Sequence, residues 1–331
     1  MSLTSPQRIN DKENLGEEID EIQENIIMVS LYWVRTKMII RTILMKVLWA
    51  VCSPILQRVS RSREIFLTCT RGDGGGAQWH GMFSVMAFCK EFGAHYVHTP
   101  IAKILPVDSK ENRDRWNALF DLTALSVPKP VWLETKKVRS LADLFVQVCL
   151  TKDGGAALFD IDHCHAYTDW NIQSVESIVP DLQSAFRSQH SVKTFESAEG
   201  SKLVVHLRRG HIEDGSGDLR ITRDDAVIDG IHSVMTLSGL SEGVVFCMQP
   251  EPLIESRLPD GIVFDSSSDE FEVIYAMSKA EYLILAKSSM SYVAGILCTG
   301  TVLYESFWHP KLKRWTSLDR IRAKTSLFEK Q

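Results

Sequence analysis

Residues 202–211 read KLVVHLRRGH, an apolar, β-branched run that ends abruptly in two arginines and a glycine. An uninterrupted run of this kind predicts a buried strand, central in a parallel sheet. Ligands of open α/β sheets bind just beyond the carboxyl ends of such strands. Arg208 and Arg209 stand at that end, and guanidinium groups match phosphate oxygens two at a time. The stretch predicts a diphosphate site, and ordinary ion pairs at a strand end are the open alternative.

Size and composition set the class of protein. The chain has 331 residues, enough for two domains, with 44% hydrophobic and 24% charged residues, the balance of a folded soluble protein. The net charge of −5 gives no basic field, so we expect no nucleic-acid partner. The seven cysteines are scattered and never form CxxC. We therefore expect free thiols, a reducing compartment and a cytoplasmic location.

Residues 1–60 precede the predicted folded body. Residues 1–25 are polar and rich in acidic side chains, which predicts a leader or a short exposed helix. Residues 26–56 mix aliphatic residues and tryptophans with cations that break every apolar run. None of these runs reaches the roughly 20 residues that span a bilayer. Two interpretations stay open: a basic apolar helix in peripheral contact with a membrane, and a helix packed on protein.

Two αβ alternations follow. Residues 61–195 predict an N-terminal α/β domain that begins with a strand at Ile65–Cys69, and residues 196–331 predict a Rossmann-like domain that begins with the organising strand. Val302–Tyr304 is predicted to be the last strand. The polar, glycine-bearing residues 189–201 are the expected linker.

A glycine turn follows the first strand. Arg71-Gly72-Asp73-Gly74-Gly75-Gly76-Ala77-Gln78 lies before a helix predicted over Trp79–Phe92. A strand, a glycine turn and a helix present backbone N–H groups to a ligand. No Gly-Lys-Ser/Thr follows, which excludes a triphosphate P-loop, and the fit to a dinucleotide fingerprint is partial. A tight turn without a ligand is the alternative.

Three separated motifs together resemble the fucosyltransferase superfamily, which includes α-1,2-fucosyltransferases and their α-1,6 and protein-O relatives. Residues 206–210 are similar to that family's His-x-Arg-Arg-Gly-Asp, and residues 71–78 to its Gly-Gly-x-Gly-Asn-Gln turn. Residues 269–272 and 287–294 look like its C-terminal block, an acidic-aromatic helix followed by a serine-rich helix start. The resemblance runs from about Ile65 to Tyr304.

This resemblance implies a GT-B-like fold of two Rossmann-like domains with a cleft between them. It implies GDP-fucose as donor, a glycan or glycoconjugate hydroxyl as acceptor, inversion, and no required metal or other cofactor. Arg208 and Arg209 are then expected to hold the donor diphosphate and act in catalysis. The remaining donor-binding residues implied by the family are His206, Gly210, Ser288, Ser289, Ser291, Gly74, Gly75 and Gly76. No carboxylate stands out as catalytic base, and the candidates are Asp73, Asp214 and His211.

Two alternatives remain. Asp160 and Asp162 follow a predicted strand at Ala156–Phe159, and Asp-x-Asp holds a divalent ion in metal-dependent sugar-nucleotide transferases. No distant pair of ligands completes a structural zinc site, and a polar loop that caps the next helix explains the segment equally. The second alternative is a catalytically inactive protein that binds a glycan or sugar nucleotide, because His211 replaces the family's aspartate.

Overall fold

The structure is a computed structural model that describes residues 53–106, 108–162, 165–190, 202–209 and 220–328. The chain divides into two compact units, Met1–Ile55 and Leu56–Gln331, and the second unit contains every element named below. The leader and nearly all of the predicted helix at residues 26–56 lie outside the described residues. Within the described ranges, no helix combines the length and the apolar character needed to cross a bilayer.

The N-terminal lobe, defined as residues 56–190, is built on a parallel sheet of four strands in the order β2-β1-β4-β3. The strands are β1 (Glu64–Thr68), β2 (His95–Tyr96), β3 (Thr135–Val138) and β4 (Ala156–Ile161). The helices are α1 (Gly75–Phe92), α2 (Lys110–Leu119), α3 (Leu141–Leu150), α4 (His165–Trp170) and α5 (Ile172–Gln189).

The C-terminal lobe, defined as residues 202–328, contains a parallel sheet of six strands in the order β10-β9-β8-β5-β6-β7. The strands are β5 (Leu203–Leu207), β6 (Gly243–Cys247), β7 (Ile262–Asp265), β8 (Tyr282–Ile284), β9 (Thr301–Tyr304) and β10 (Thr316–Ser317). The helices are α6 (Asp224–Ser238), α7 (Pro252–Glu255), α8 (Glu270–Lys279), α9 (Ser289–Leu297) and α10 (Leu318–Phe328). This is the strand order of a doubly wound nucleotide-binding fold.

Strand β5 lies at the centre of its sheet, between β6 and β8. All five of its residues are buried, and its apolar side chains Leu203, Val205 and Leu207 join a core with α6, β6 and α10. An unbroken apolar run is what a strand covered by helices on both faces requires. The sequence-based prediction of a central, parallel, buried strand is confirmed, and so is the α/β class with two Rossmann-like halves.

Two element predictions differ from the structure, and one strand, β3, was not predicted. Helix α1 begins at Gly75 and not at Trp79, so two glycines of the predicted turn form its first turn. Strand β3 has the sequence TKKV and is exposed at an edge of its sheet, which gives it no hydrophobic signature. Val302–Tyr304 is not the last strand, because the short β10 adds to the sheet beyond β9. The predicted boundary at 195/196 falls outside the described residues.

The two lobes meet through helices. Helix α1 packs against α9, and α5 also contacts α9. On another side of the contact, Trp116 of α2 donates its indole N–H to Glu270 of α8 at 2.9 Å. Burial raises the pKa of the Glu270 carboxyl. The first turns of α1 and α9 are therefore brought together between the lobes, close to the carboxyl ends of the strands that precede them.

Candidate functional site

The C-terminal sheet has a topological switch point between β5 and β8, where the chain winds to one side of the sheet after β5 and to the other after β8. Ligands of doubly wound folds bind in the crevice that opens at such a point, beyond the carboxyl ends of the strands. Arg208 and Arg209 follow β5, while Lys287 and Ser288 follow β8 into α9. The structure therefore places the Arg-Arg motif and the serine block side by side, although Lys287 lies 79 positions after Arg208 in the sequence (287 − 208).

His206 links the two motifs directly. Its Nδ1 is hydrogen-bonded to the hydroxyl of Ser291, which also accepts the backbone N–H of Ala286 at 3.3 Å. His206 and Ser291 are both buried. Burial, and secondly the positive charge of Arg208, lower the pKa of His206 to about 4, so its imidazole is neutral near pH 7. The contact fixes the end of β5 against the start of α9.

The three serines of the block have different environments. Ser288 is the N-cap of α9, and its buried hydroxyl accepts the N–H of Ser291 at 3.1 Å. The Ser291 hydroxyl is engaged by His206. Ser289, the first residue of α9, is half-buried. Of the three hydroxyls expected near a donor, that of Ser289 is the best placed to reach a ligand.

The two arginines also differ. Arg209 donates to Asp224 at 2.6 Å, and its Nε lies 3.9 Å from Glu251, while only 9% of its side chain is exposed. The ion-pair alternative therefore describes the position of Arg209, whose charge is largely balanced within its own lobe. Arg208 is half-buried, and its charge acts on His206 beside the serine helix. Its place beside the serine helix makes Arg208 a candidate for a phosphate contact.

Two further cations lie at this switch point. The Lys287 ammonium lies 3.0 Å from Glu305 and donates to the carbonyl of Ile221 at 3.3 Å. The Arg220 guanidinium lies 5.3 Å from the ring centroid of Trp308. We use the name switch-point cluster for Arg208, Arg209, Arg220, Lys287 and Ser289. Arg220 and Lys287 were not predicted as site residues, although Lys287 lies within the serine-rich stretch of residues 287–294.

The glycine turn of the N-terminal lobe is filled by the protein itself. A Cβ added to Gly75 would lie 2.2 Å from the Trp116 indole, and one added to Gly76 would lie 2.6 Å from the Cα of Met290 in α9. Gly74 has open space, with its nearest neighbour at 3.8 Å. Gly75 and Gly76 thus permit close contact with Trp116 and with the opposite lobe. Donor binding by Gly74, Gly75 and Gly76 stays a prediction.

The base candidate Asp73 lies in the same turn. Its carboxylate accepts from Arg71 and from the N–H of Gly74, the latter at 2.8 Å. Arg71 also contacts His165 of α4, with 3.0 Å between Nη1 and Nδ1. A proton-accepting role for Asp73 stays a prediction. The other base candidates, His211 and Asp214, lie outside the described residues together with Gly210.

Asp160 uses its carboxylate in hydrogen bonds within the N-terminal lobe. It is buried, and its carboxylate accepts the N–H of Thr70 at 2.8 Å and also the Thr70 hydroxyl, which ties the ends of β1 and β4 together. Among the described residues, the group whose ligand atoms lie close enough to hold a metal ion comprises His80, Asp169 and His309, within 4.8 Å of one another. Asp160 and Asp162 are not in this group.

Hydrogen bonds already engage both ring nitrogens of His309. Its Nδ1 lies 2.9 Å from Asp169, and its Nε2 lies 3.2 Å from the Ser289 hydroxyl and 3.0 Å from the indole nitrogen of Trp308. An indole N–H is only a donor, so Nε2 is an acceptor occupied by protein groups. Asp169 and His309 therefore belong to a hydrogen-bonded network in which both ring nitrogens of His309 are already engaged by protein groups.

His80 lies against this network, with its ring centroid 4.3 Å from that of His309. Burial, followed by the proximity of His309, His165 and Arg71, lowers the pKa of His80 well below its usual value. Sequence reasoning missed Asp169, His309 and Trp308. A usable signal existed for two of them, because Trp308 and His309 follow the carboxyl end of β9, the neighbour of β8.

Comparisons with known proteins give structural likenesses alone. No family model matches the chain, and no curated protein sequence matches it. Solved structures similar to it include POFUT1 in complex with GDP, at a TM-score of 0.39 and 11% identity over 72% of this chain and 96% of that chain. The E. coli heptosyltransferase WaaC with ADP-2-deoxy-2-fluoro heptose gives a TM-score of 0.39 and 11% identity over 81% of this chain and 100% of that chain. A glycosyl transferase family 9 protein from Veillonella parvula gives a TM-score of 0.34 and 11% identity over 81% of this chain and 89% of that chain. At these TM-scores and identities the comparisons identify no family.

Proposed function

We propose that this protein is a glycosyltransferase that moves a sugar from a nucleotide-sugar donor to an acceptor hydroxyl. The most favoured donor is GDP-fucose, the acceptor is a glycan or glycoconjugate, and the transfer inverts the anomeric centre without a metal ion. The observation that carries this proposal is the meeting of Arg208 and the start of α9 at the switch point of a doubly wound sheet.

The chemistry of this place suits a departing diphosphate. As the glycosidic bond breaks, negative charge grows on the leaving nucleoside diphosphate, and fixed positive groups aimed at that charge lower the barrier. Arg208 supplies a guanidinium, and the N-terminus of α9 adds the positive end of a helix dipole. Arg209 and Lys287 form ion pairs with carboxylates of the same lobe, and these pairs hold neighbouring segments of the crevice together. These groups can replace the metal that other transferases use.

The choice of fucose rests on the sequence resemblance of residues 206–210 and 287–294. A thermal-shift screen against GDP, GDP-fucose, other GDP-, UDP- and ADP-sugars, and guanosine tests it. We expect GDP and GDP-fucose to raise the melting temperature, guanosine to have a much smaller effect, and excess EDTA to change nothing. Failure of every nucleotide to shift the transition would refute the proposal. A preference for another nucleotide sugar would refute only the assignment to fucose.

A second candidate is a nucleotide-sugar-binding protein without transferase activity. The ion pairs of Arg209 favour it, because they remove one of the two arginines expected to face the leaving group. Incubation with radiolabelled GDP-fucose separates the two candidates. A transferase releases GDP and transfers the label to water or to an acceptor, whereas a binding protein retains intact GDP-fucose.

Peripheral membrane contact through residues 26–56 and a cytoplasmic location belong to the same proposal. The supporting feature is the mixture of cations, tryptophans and aliphatic residues in that segment. Co-sedimentation with liposomes that contain anionic lipid, with and without residues 1–56, tests the contact. We expect binding that requires the segment, and equal sedimentation of both forms would contradict it.

A further inference from the structure

A turn before strand β3 of the N-terminal lobe holds two neighbouring apolar side chains out in solvent. Val131 is 97% exposed and Trp132 is 66% exposed. The turn is closed by a hydrogen bond in which the backbone N–H of Leu133 donates to the carbonyl of Pro130 at 3.2 Å. Leaving large apolar side chains in water forgoes the free energy of burying them, and adjacent ones mark a surface that contacts a partner.

Positive charge surrounds this turn. Residues 128–139 contain four cations, Lys129, Lys136, Lys137 and Arg139, and one carboxylate, Glu134. All five of these side chains are exposed. The stretch has a net charge of +3 (4 − 1), although the whole chain has a net charge of −5. The charge of this region therefore complements an anionic partner.

The fold adds a further apolar side chain to the same region. Strand β3 follows the turn closely and forms an edge of its sheet. Lys136 of β3 lines a surface cavity together with Leu150, the last residue of α3, which is 72% exposed. Apolar and cationic side chains therefore lie side by side here. We use the name β3-edge surface for Lys129, Val131, Trp132, Lys136, Lys137 and Leu150.

The chemistry of this surface favours lipid over a second copy of the chain. If the edge strand paired with its copy, Lys136 and Lys137 would meet the same lysines of the copy, and lysines on an edge strand oppose such pairing. A protruding turn enters a lipid surface without a complementary pocket, which a protein partner would have to provide. The ring of a tryptophan suits the membrane interface, and cations beside it are attracted to anionic head groups.

We propose that the β3-edge surface contacts an anionic membrane surface. Val131 and Trp132 enter the interfacial layer, and Lys129, Lys136 and Lys137 face the lipid head groups. This contact is separate from the one proposed for residues 26–56, and it does not depend on donor binding.

The fluorescence of Trp132 reports on the contact directly. The full chain is mixed with vesicles of phosphatidylcholine that contain about a third of phosphatidylglycerol. Subtracting the emission of Trp132→Phe from that of the wild type isolates Trp132, because the other tryptophans are common to both proteins. We expect this difference emission to move to shorter wavelength and to be quenched by lipids with brominated acyl chains. A difference emission that vesicles leave unchanged would overturn the proposal.

Charge variants of the full chain test the contribution of the lysines to the partition constant in vesicle flotation. A lysine near an anionic surface is worth about a factor of five, so Lys136→Glu combined with Lys137→Glu should lower the partition constant by at least about 30-fold. Lys110→Glu combined with Lys202→Glu is the matched control, because it makes the same change in net charge at exposed positions outside the β3-edge surface. The control should lower the partition constant by less than about threefold. Equal losses in the two double variants would overturn the proposal.

Apolar variants complete the test. Val131→Ser combined with Trp132→Ser should lower the partition constant by at least about tenfold. It should leave the free energy of unfolding nearly unchanged, because both side chains are exposed. Leu253→Ser is the matched control, since Leu253 of α7 is 77% exposed in the other lobe, and it should bind vesicles as the wild type does.

The remaining outcomes separate this contact from other occupants and from the other membrane segment. If the double serine variant changes self-association in sedimentation velocity and leaves vesicle binding unchanged, the occupant is a second copy and the proposal is overturned. Equal sedimentation with liposomes of chains with and without residues 1–56 would remove only the contact of residues 26–56, because the difference emission reports Trp132 alone.

Discussion

The two lobes contain the same local construction with opposite outcomes. In each lobe, a parallel strand leads through a turn into a helix: β1 into α1, and β8 into α9. The first turn of α1 is covered by Trp116 and Met290, whereas α9 begins with the half-buried Ser289 beside the basic end of β5. A strand, a turn and a helix become a packing element or a binding element according to what covers the first turn.

The largest expected effect comes from a substitution in the first turn of α1, which is covered by other side chains. Gly75→Ala places a methyl group about where the Trp116 indole lies, and overpacking of this kind costs about 1–3 kcal/mol or more. We expect the free energy of unfolding in urea to fall by about 3 kcal/mol. Gly74→Ala is the matched control, because its nearest neighbour lies at 3.8 Å. Equal stability of the Gly75 and Gly74 variants would mean that the first turn of α1 is not covered.

The second expected effect concerns the link between β5 and α9. Burial holds the pKa of His206 at about 4, against 6.5 in an unfolded chain, so the unfolded state binds the extra proton first on acidification. The contribution of the neutral, buried imidazole to the free energy of unfolding is present in full above pH 6.5 and is lost as the pH falls toward 4. The total loss is about 3 kcal/mol at most. Urea unfolding from pH 7 to pH 4.5 should show a steeper loss in the wild type than in His206→Gln. Parallel pH profiles would show that His206 is not buried and neutral.

A third prediction separates two adjacent arginines. A charged hydrogen bond is worth about 1.5–3 kcal/mol, so Arg208→Gln should weaken GDP binding by about 10- to 100-fold in calorimetric titrations. Arg209→Gln should weaken GDP binding by less than about fivefold, but should reduce stability by about 1–3 kcal/mol, because Asp224 and Glu251 lose their partner. The reverse pattern would make Arg209 the phosphate ligand.

The smallest expected effect distinguishes two neighbouring serines. Ser288→Ala removes the N-cap of α9 and should cost about 1 kcal/mol of stability while GDP affinity changes little. Ser289→Ala, whose hydroxyl caps no N–H group described here, should leave thermal stability nearly unchanged. Differential scanning calorimetry of both variants tests the distinction. A larger stability loss in Ser289→Ala than in Ser288→Ala would show that Ser289, and not Ser288, has the structural role.

The sequence alone could predict β5 and its central position, because one unbroken apolar run is typical of a buried parallel strand. The approach of its arginines to the serine helix was implied by the family resemblance. The partners in the ion pairs of Arg209 could not be predicted, because their carboxylates come from α6 and from the residue before α7. Nor could the hydrogen bonds from Asp169 through His309 to Ser289, since they form only when the lobes meet.

The central claim is that the switch point between β5 and β8 binds a nucleoside diphosphate. A crystal structure of the complex with GDP tests it most directly through the distance from the diphosphate oxygens to the Arg208 guanidinium and the Ser289 hydroxyl. The account predicts that both lie within hydrogen-bond distance, about 3 Å. A diphosphate bound at the β1 to α1 turn, away from Arg208, would contradict it.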